Sequence, residues 1–280
     1  MNIVKTRRQL ALDLAHERGK SVVDQFRSAI RPIYRRDPTH AYTQVGTCTF
    51  VRINGVEVMV TAAHIIDQHK EQLWVGNESI LVPLIGDFHQ TDAPAGDRNL
   101  DQFDFAACVV GVEFRTSLAG ITFIDQAVIG KGRRADRNGD IYSCLGYPNS
   151  KNKKKNVTKR EIDVQLWMHT GPGASKTDKL GEWGKDTSAH LFIEFPKYPT
   201  TATGERRNTT EPRGSSGGPV FYDGNINEAN AYNQELVFQP RLEAIIIKKP
   251  TNAGLLVAVK LGAIIDACSM RGIIPKHSDS

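Results

Sequence analysis

Two periodicities divide this chain. In residues 5–30, Leu10 and Leu14, then Val23, Phe26 and Ile30, fall at three- and four-residue spacings with charges elsewhere, which predicts helix. Gly19 and Ser21 predict a break into two pieces, with Ser21 capping the second, and Pro32 and then Asp37-Pro38 end the run. From Tyr42 the period shortens to two. Residues 48–53 and 56–60 flank Asn54-Gly55, a strong hairpin signal. Further short strands are expected at 73–75, 79–82 and 105–112, with 121–124 and 126–128 as lesser candidates, and then at 141–148, 161–167, 189–195, 218–222, 242–248 and 255–259. Residues 261–270 read as a closing helix. Many short strands separated by turn signals favour an all-β barrel architecture over an α/β one.

Length and composition narrow the function classes. The 280 residues hold enough chain to bury a sizeable core without staples, and 40% hydrophobic with 24% charged residues is ordinary for a soluble globular protein. No run approaches the ~18 apolar residues that span a bilayer. Charges interrupt the first residues, so no secretory signal is expected. Cys48, Cys108, Cys144 and Cys268 sit in apolar strand or helix contexts and read as buried free thiols, which points to a reducing, cytoplasmic setting. The net charge of +5 is local: residues 1–40 hold nine Lys/Arg against four Asp/Glu, and 9 − 4 = +5. A second basic cluster fills the loop 151–160 without interleaved aromatics or a nucleic-acid motif, so it reads as a solvated loop rather than a nucleic-acid site. There is no internal repeat, phosphate-binding loop, Cys-x-x-Cys pair or metal-ligand spacing, and His64 and His69 do not share a helix face. Neither a cofactor nor a metal is expected.

The chemistry concentrates at 212–220. Gly214, Gly217 and Gly218 around Ser216 allow positive φ and close backbone approach. They would let the Gly214 and Ser216 amides converge beside the Ser216 hydroxyl, an oxyanion-hole arrangement. A serine nucleophile needs an oriented histidine, and His64 follows the apolar strand 56–60 as Thr61-Ala62-Ala63-His64. That histidine needs a carboxylate, for which Asp104 (in Asp104-Phe105-Ala106) and Asp101 both stand before the strand at 105. Ser215 competes with Ser216 for the nucleophile role, but only Ser216 is followed directly by Gly-Gly-Pro.

These motifs resemble those of trypsin-like, chymotrypsin-fold serine proteases: the nucleophile loop 214–219, Thr-Ala-Ala-His at 61–64 and Asp-Phe-Ala at 104–106, in the chain order His, Asp, Ser. The resemblance covers roughly residues 42–270, in a bacterial intracellular style. It implies two six-stranded antiparallel β-barrels, at 39–140 carrying His64 and Asp104 and at 141–280 carrying Ser216 and a C-terminal helix, behind an N-terminal helical extension at 1–38. It implies a serine endopeptidase acting on a protein or peptide through an acyl-enzyme intermediate, with Asp104 favoured over Asp101. The alternative is a catalytically silent protease-fold module that binds a peptide or partner. The helical extension is either an arm packed on the protease body or a docking segment for a regulatory partner. The family's pocket floor falls at Thr210, with Glu211 there if the register slips by one, and the pocket wall at Ile247 and Lys249. Secreted members carry aspartate where this chain has Ser215, and there it pairs with the N-terminus released by cleavage. Serine cannot hold that charge, so activity is either constitutive or gated in another way.

Overall fold

The computed structural model describes residues 5–38, 41–69, 72–76, 80–130, 140–149, 157–158, 161–162, 165–174, 187–197, 211–231, 238–248 and 254–275. Helix α1 (Arg7–Phe26) opens with a capping box, in which Thr6 accepts from the Gln9 amide and the Gln9 side chain accepts from the Thr6 amide. It runs unbroken through Gly19 and Ser21, contrary to the expected break. A Cβ at Gly19 would lie 2.7 Å from Met168 Sδ and Thr170 Oγ1 and 2.8 Å from Ser143 Oγ, so this glycine lets the helix approach the sheet beneath it. Val22 and Phe26 complete the seat, with Phe26 stacked on Phe221 at 4.7 Å.

The helical extension expected for 1–38 ends earlier. Residues 30–36 form strand β1 (Ile30–Arg36), flanked by two strands of the first sheet. Ile30, Ile33 and Tyr34, β-branched or aromatic, suit a pleated buried surface and are fully inaccessible. Pro32 falls where β1 is paired on one side only, as a residue without an N–H requires.

Then come β2 (Tyr42–Ile53), β3 (Val56–Ala62), α2 (Ala63–His69), β4 (Leu73–Gly76), β5 (Leu81–Pro83), β6 (His89–Gln90), β7 (Phe105–Val109) and α3 (Val112–Ser117). The first sheet is antiparallel, in the order β5-β4-β1-β2-β3-β7-β6, so it has seven strands where six were expected. The β2–β3 hairpin turns at Asn54 and Gly55, both at positive φ, as its sequence predicts. Three lesser expectations change. The strand at 105 stops at Val109, because Gly111 caps α3. Residues 121–124 touch β2 through a bridge at Ile124, and 126–128 are a 3₁₀ turn capped by the Asp125 side chain.

The second half holds β8 (Asp140–Gly146), the small pair β9 (Val157–Thr158) and β10 (Glu161–Ile162), β11 (Trp167–Pro172), β12 (His190–Glu194), β13 (Pro219–Asn225), β14 (Arg241–Lys248) and β15 (Leu255–Lys260). The strand expected at 161–167 is divided between β10 and β11. The six-stranded antiparallel order is β11-β8-β13-β14-β15-β12, and a bridge between Gly173 and Ile193 joins its two ends. Helix α4 (Leu261–Met270) closes the described chain as expected and buries Leu261, Ile264 and Cys268. Two antiparallel sheets with helices at both ends make a mostly β, chymotrypsin-like architecture. Among the described residues no helix is long and apolar enough to cross a membrane.

Candidate active site

His64 and Asp104 meet because β3 and β7 are paired. Ala62 faces Phe105 in that register, so the residues following one strand adjoin those preceding the other. The Ala63 amide donates to the Asp104 carbonyl (2.9 Å), the His64 amide donates to Asp104 Oδ1 (2.9 Å), and His64 Nδ1 lies 2.7 Å from Asp104 Oδ2. One carboxylate thus fixes both the backbone and the ring of the histidine. With Nδ1 donating, Nε2 is left as the basic nitrogen. The Asp104 side chain is 8% exposed and that of His64 28%. Asp104 holds φ = +40°, unusual for a residue with a side chain. Asp101, the competing acid, makes no bond with His64; it accepts from Arg98, Thr91 and the Phe103 amide.

Ser216 sits in the turn before β13. The Ser215 amide donates to Pro212 O (2.8 Å) and the Gly218 amide to Ser215 O (2.9 Å), with Gly214 and Gly217 at φ of +98° and +87°. The Gly217 amide reaches across to Ile246 O (2.7 Å). The Asn149 amide donates to Arg213 O (2.7 Å), and across a trans peptide this turns the Gly214 N–H the opposite way. Among the described residues neither the Gly214 nor the Ser216 amide has an acceptor, which leaves both donors available to an anion. Ser216 Oγ donates to Ile247 O at 3.3 Å, and no hydrogen bond joins it to His64. Ser215 is fully buried against Gly146.

The floor of this loop was not anticipated. Gln44 and Thr47 donate to Gly214 O (3.1 and 2.9 Å), the Thr47 amide donates to Ser216 O (2.8 Å), and Thr49 Oγ1 donates to Gly217 O (2.9 Å). Thr61 Oγ1 donates to Thr47 O (2.7 Å) from behind. In sequence, polar residues at 43, 44, 47 and 49 resemble the outward face of a strand. The burial of Gln44, Thr47 and Thr49 is the signal, and only the partner loop reveals it.

His64, Asp104, Gly214 and Ser216 line one cleft of about 580 Å³, together with Ile246, Ile247 and Leu256. Ile247, expected in the pocket wall, lines this cleft; Thr210 and Lys249 lie outside the described residues. Most of the basic loop 151–160 lies outside them as well. The four cysteines are unpaired and buried. Burial pushes every one of their thiols up, Cys268 to about 11 and Cys108 to about 12, so none is a ready thiolate. Among the described residues no group of three or more His, Cys, Asp or Glu side chains could hold a metal ion.

No protein-family model and no curated protein matches the chain. Similar solved structures include the serine protease domain of the Sesbania mosaic virus polyprotein, at 12% identity over 85% of this chain and 91% of that one, with a TM-score of 0.46. The HtrA-type protease AlgW with tripeptide is similar at 13% identity over 91% of this chain and 64% of that one, with a TM-score of 0.48. With such scores the fold class rests on the strand orders and registers above.

Proposed function

We propose that this protein is a serine endopeptidase, with Ser216 as nucleophile, His64 as general base and then acid, Asp104 as the group that orients His64, and the Gly214 and Ser216 amides as the oxyanion hole. The observation that carries the reading is the double contact of Asp104 with the His64 ring and amide, in the same cleft as Ser216 and two amides without acceptors. In the mechanism, Ser216 leaves the Ile247 carbonyl and turns toward His64 Nε2 as substrate enters. His64 takes its proton as Oγ attacks the peptide carbonyl, and the two amides receive the oxyanion. The imidazolium formed is stabilised by Asp104 and then protonates the leaving amine. Water repeats the sequence to release the acyl group.

Gating by a partner or ligand belongs to the same reading, since the turn of Ser216 off Ile247 is a step that a bound molecule would drive. The described cleft has an apolar wall of Ile246, Ile247 and Leu256 and is lined as well by Glu211 and Arg213, so it offers a substrate side chain both apolar and charged contacts. Unpaired, buried cysteines fit a reducing, cytoplasmic setting. The alternative is a silent module that binds a peptide without cleaving it, and it draws on the same resting contact of Ser216. Purified protein exposed to a fluorophosphonate probe separates the two: covalent labelling that disappears in Ser216→Ala supports the hydrolase, and its absence in purified protein and in lysate alike refutes it.

A further inference from the structure

Arg98 joins the element that carries His64 to the turn that carries Asp104. Its Nε donates to Asp67 Oδ2 (2.7 Å), and its Nη2 donates to the same oxygen. Its Nη1 donates to the Asp101 carboxylate and to Thr91 O (2.7 Å). Asp67 lies on α2 one turn beyond His64, and Asp101 lies three residues before Asp104. The Arg98 side chain is 15% exposed and that of Asp101 only 4%. One planar guanidinium therefore bridges the two segments that must stay in register for His64 and Asp104 to meet.

The turn at 101–104 has reason to need such a bridge. Asp104 holds its positive φ, a conformation that a residue with a side chain keeps only when its surroundings impose it. Asp101 imposes it from within, accepting the Phe103 amide on Oδ1 (2.9 Å) while its Oδ2 takes Arg98 and Thr91. From the other sheet, His190 Nε2 reaches Gln102 O at 2.8 Å. Arg98 also lines the cleft, but four of its five N–H groups donate to Asp67, Asp101 and Thr91, so it is held chiefly by the protein rather than presented to a substrate.

Building on the serine-protease reading, we propose that Arg98 is a positioning residue: through Asp67 and Asp101 it sets the placement of His64 against Asp104, and with it the reactivity of Ser216. Two features separate this from a purely stabilising ion pair. The bridge spans two segments each within three residues of a proposed triad member, and its geometry depends on the guanidinium fork rather than on charge alone.

The test uses the full chain and a fluorophosphonate probe. It compares wild type, Ser216→Ala, Arg98→Lys (which keeps the charge and removes the fork) and Arg115→Lys, whose ion pair with Glu57 lies away from the cleft. The readouts are the labelling rate, the labelling end point and the proton resonance of His64 Nδ1. Arg98→Lys is expected to reach the wild-type end point about 10²-fold more slowly, the scale of a small misplacement of reacting groups. Its Nδ1 proton resonance should broaden or move, while Arg115→Lys should match wild type. Wild-type rate and resonance in Arg98→Lys would overturn the proposal. So would a reduced end point with the rate and resonance of the labelled fraction unchanged, because that is a folding role alone. Should Arg98→Lys fail to fold, Asp67→Asn loosens the α2 end of the bridge and leaves the Arg98–Asp101 contact in place. Slower labelling at full end point then supports the proposal and an unchanged rate overturns it. A wild type that labels no faster than Ser216→Ala removes the serine-protease reading itself, and the inference with it.

Discussion

Removing the N-terminal segment in two stages should give two different proteins. A chain starting at residue 27 lacks α1, and with it the burial of Val22 and Phe26 against the second sheet. At about 1.5–3 kcal/mol for each large apolar side chain, the loss is about 3–6 kcal/mol. At roughly 2–4 °C per kcal/mol for a chain of this size, the melting temperature should fall by roughly 10 °C or more. A chain starting at residue 37 lacks β1 as well. Ile30, Ile33 and Tyr34 are fully buried, which adds about 5–9 kcal/mol, and β2 and β4 both lose their shared partner. The sum rivals the whole stability of a typical protein, about 5–15 kcal/mol. Thermal and urea melts followed by circular dichroism should therefore show a cooperative but weakened transition for the first chain and none for the second. A chain starting at residue 37 that melts cooperatively near the wild-type temperature would refute the placement of β1 inside the first sheet.

Two more outcomes follow from the site and from α1. Gly217→Ala should lose probe labelling and cost at least ~1–3 kcal/mol in a urea melt, because at φ = +87° the new Cβ meets the Thr47 carbonyl oxygen and Thr61 Oγ1; a fully labelled, equally stable variant would contradict the loop geometry. Asp223 sits beneath α1, where burial pushes its carboxyl up to about 7, offset in part by a hydrogen bond from Ser143 and by Arg18. Its unfolded value is about 4, so this group's contribution is fully present below about pH 4 and is lost as pH rises toward 7. At about 1.4 kcal/mol per unit the swing reaches about 4 kcal/mol. Asp223→Asn should flatten the fall in melting temperature between pH 4 and 7, and an unchanged slope would show that Asp223 does not titrate as its burial implies.

What was legible in the sequence is what the local backbone dictates. Asn54-Gly55 announces its hairpin because both residues must take positive φ, and the Ser216 loop announces itself through glycines that other side chains could not replace. His64 and Asp104 were legible by their motifs, and the β3–β7 register then brings them together. The failures lie where a local signal has a remote cause. Ile30 fits the helical spacing of the residues before it, yet its strand is defined by β2 and β4, which come later in the chain. Gly19 reads as a helix breaker, yet it answers to Met168 and Thr170, roughly half the chain away. Gln44, Thr47 and Thr49 are polar positions that nothing local marks as buried, yet they lie buried under the nucleophile loop.

Two of these surprises meet at β2. Ile30 and Pro32 of β1 face its Thr49 and Thr47, while the same two threonines hold Gly214 O, Ser216 O and Gly217 O on the other side. The nucleophile loop of the second sheet therefore rests on a strand whose position depends on β1, and β1 continues directly from α1, which packs back onto the second sheet through Phe26 and Gly19. The path closes on itself: helix to second sheet, helix to β1, β1 to β2, β2 to the Ser216 loop. Loosening α1 should then be felt at Ser216 through β2 before the molecule unfolds, since Thr47 and Thr49 touch the loop with short, directional bonds that tolerate little displacement. In the chain starting at residue 27, probe labelling measured well below the melting transition should slow at unchanged end point, and a wild-type rate there would show that the first sheet holds the loop without help from α1.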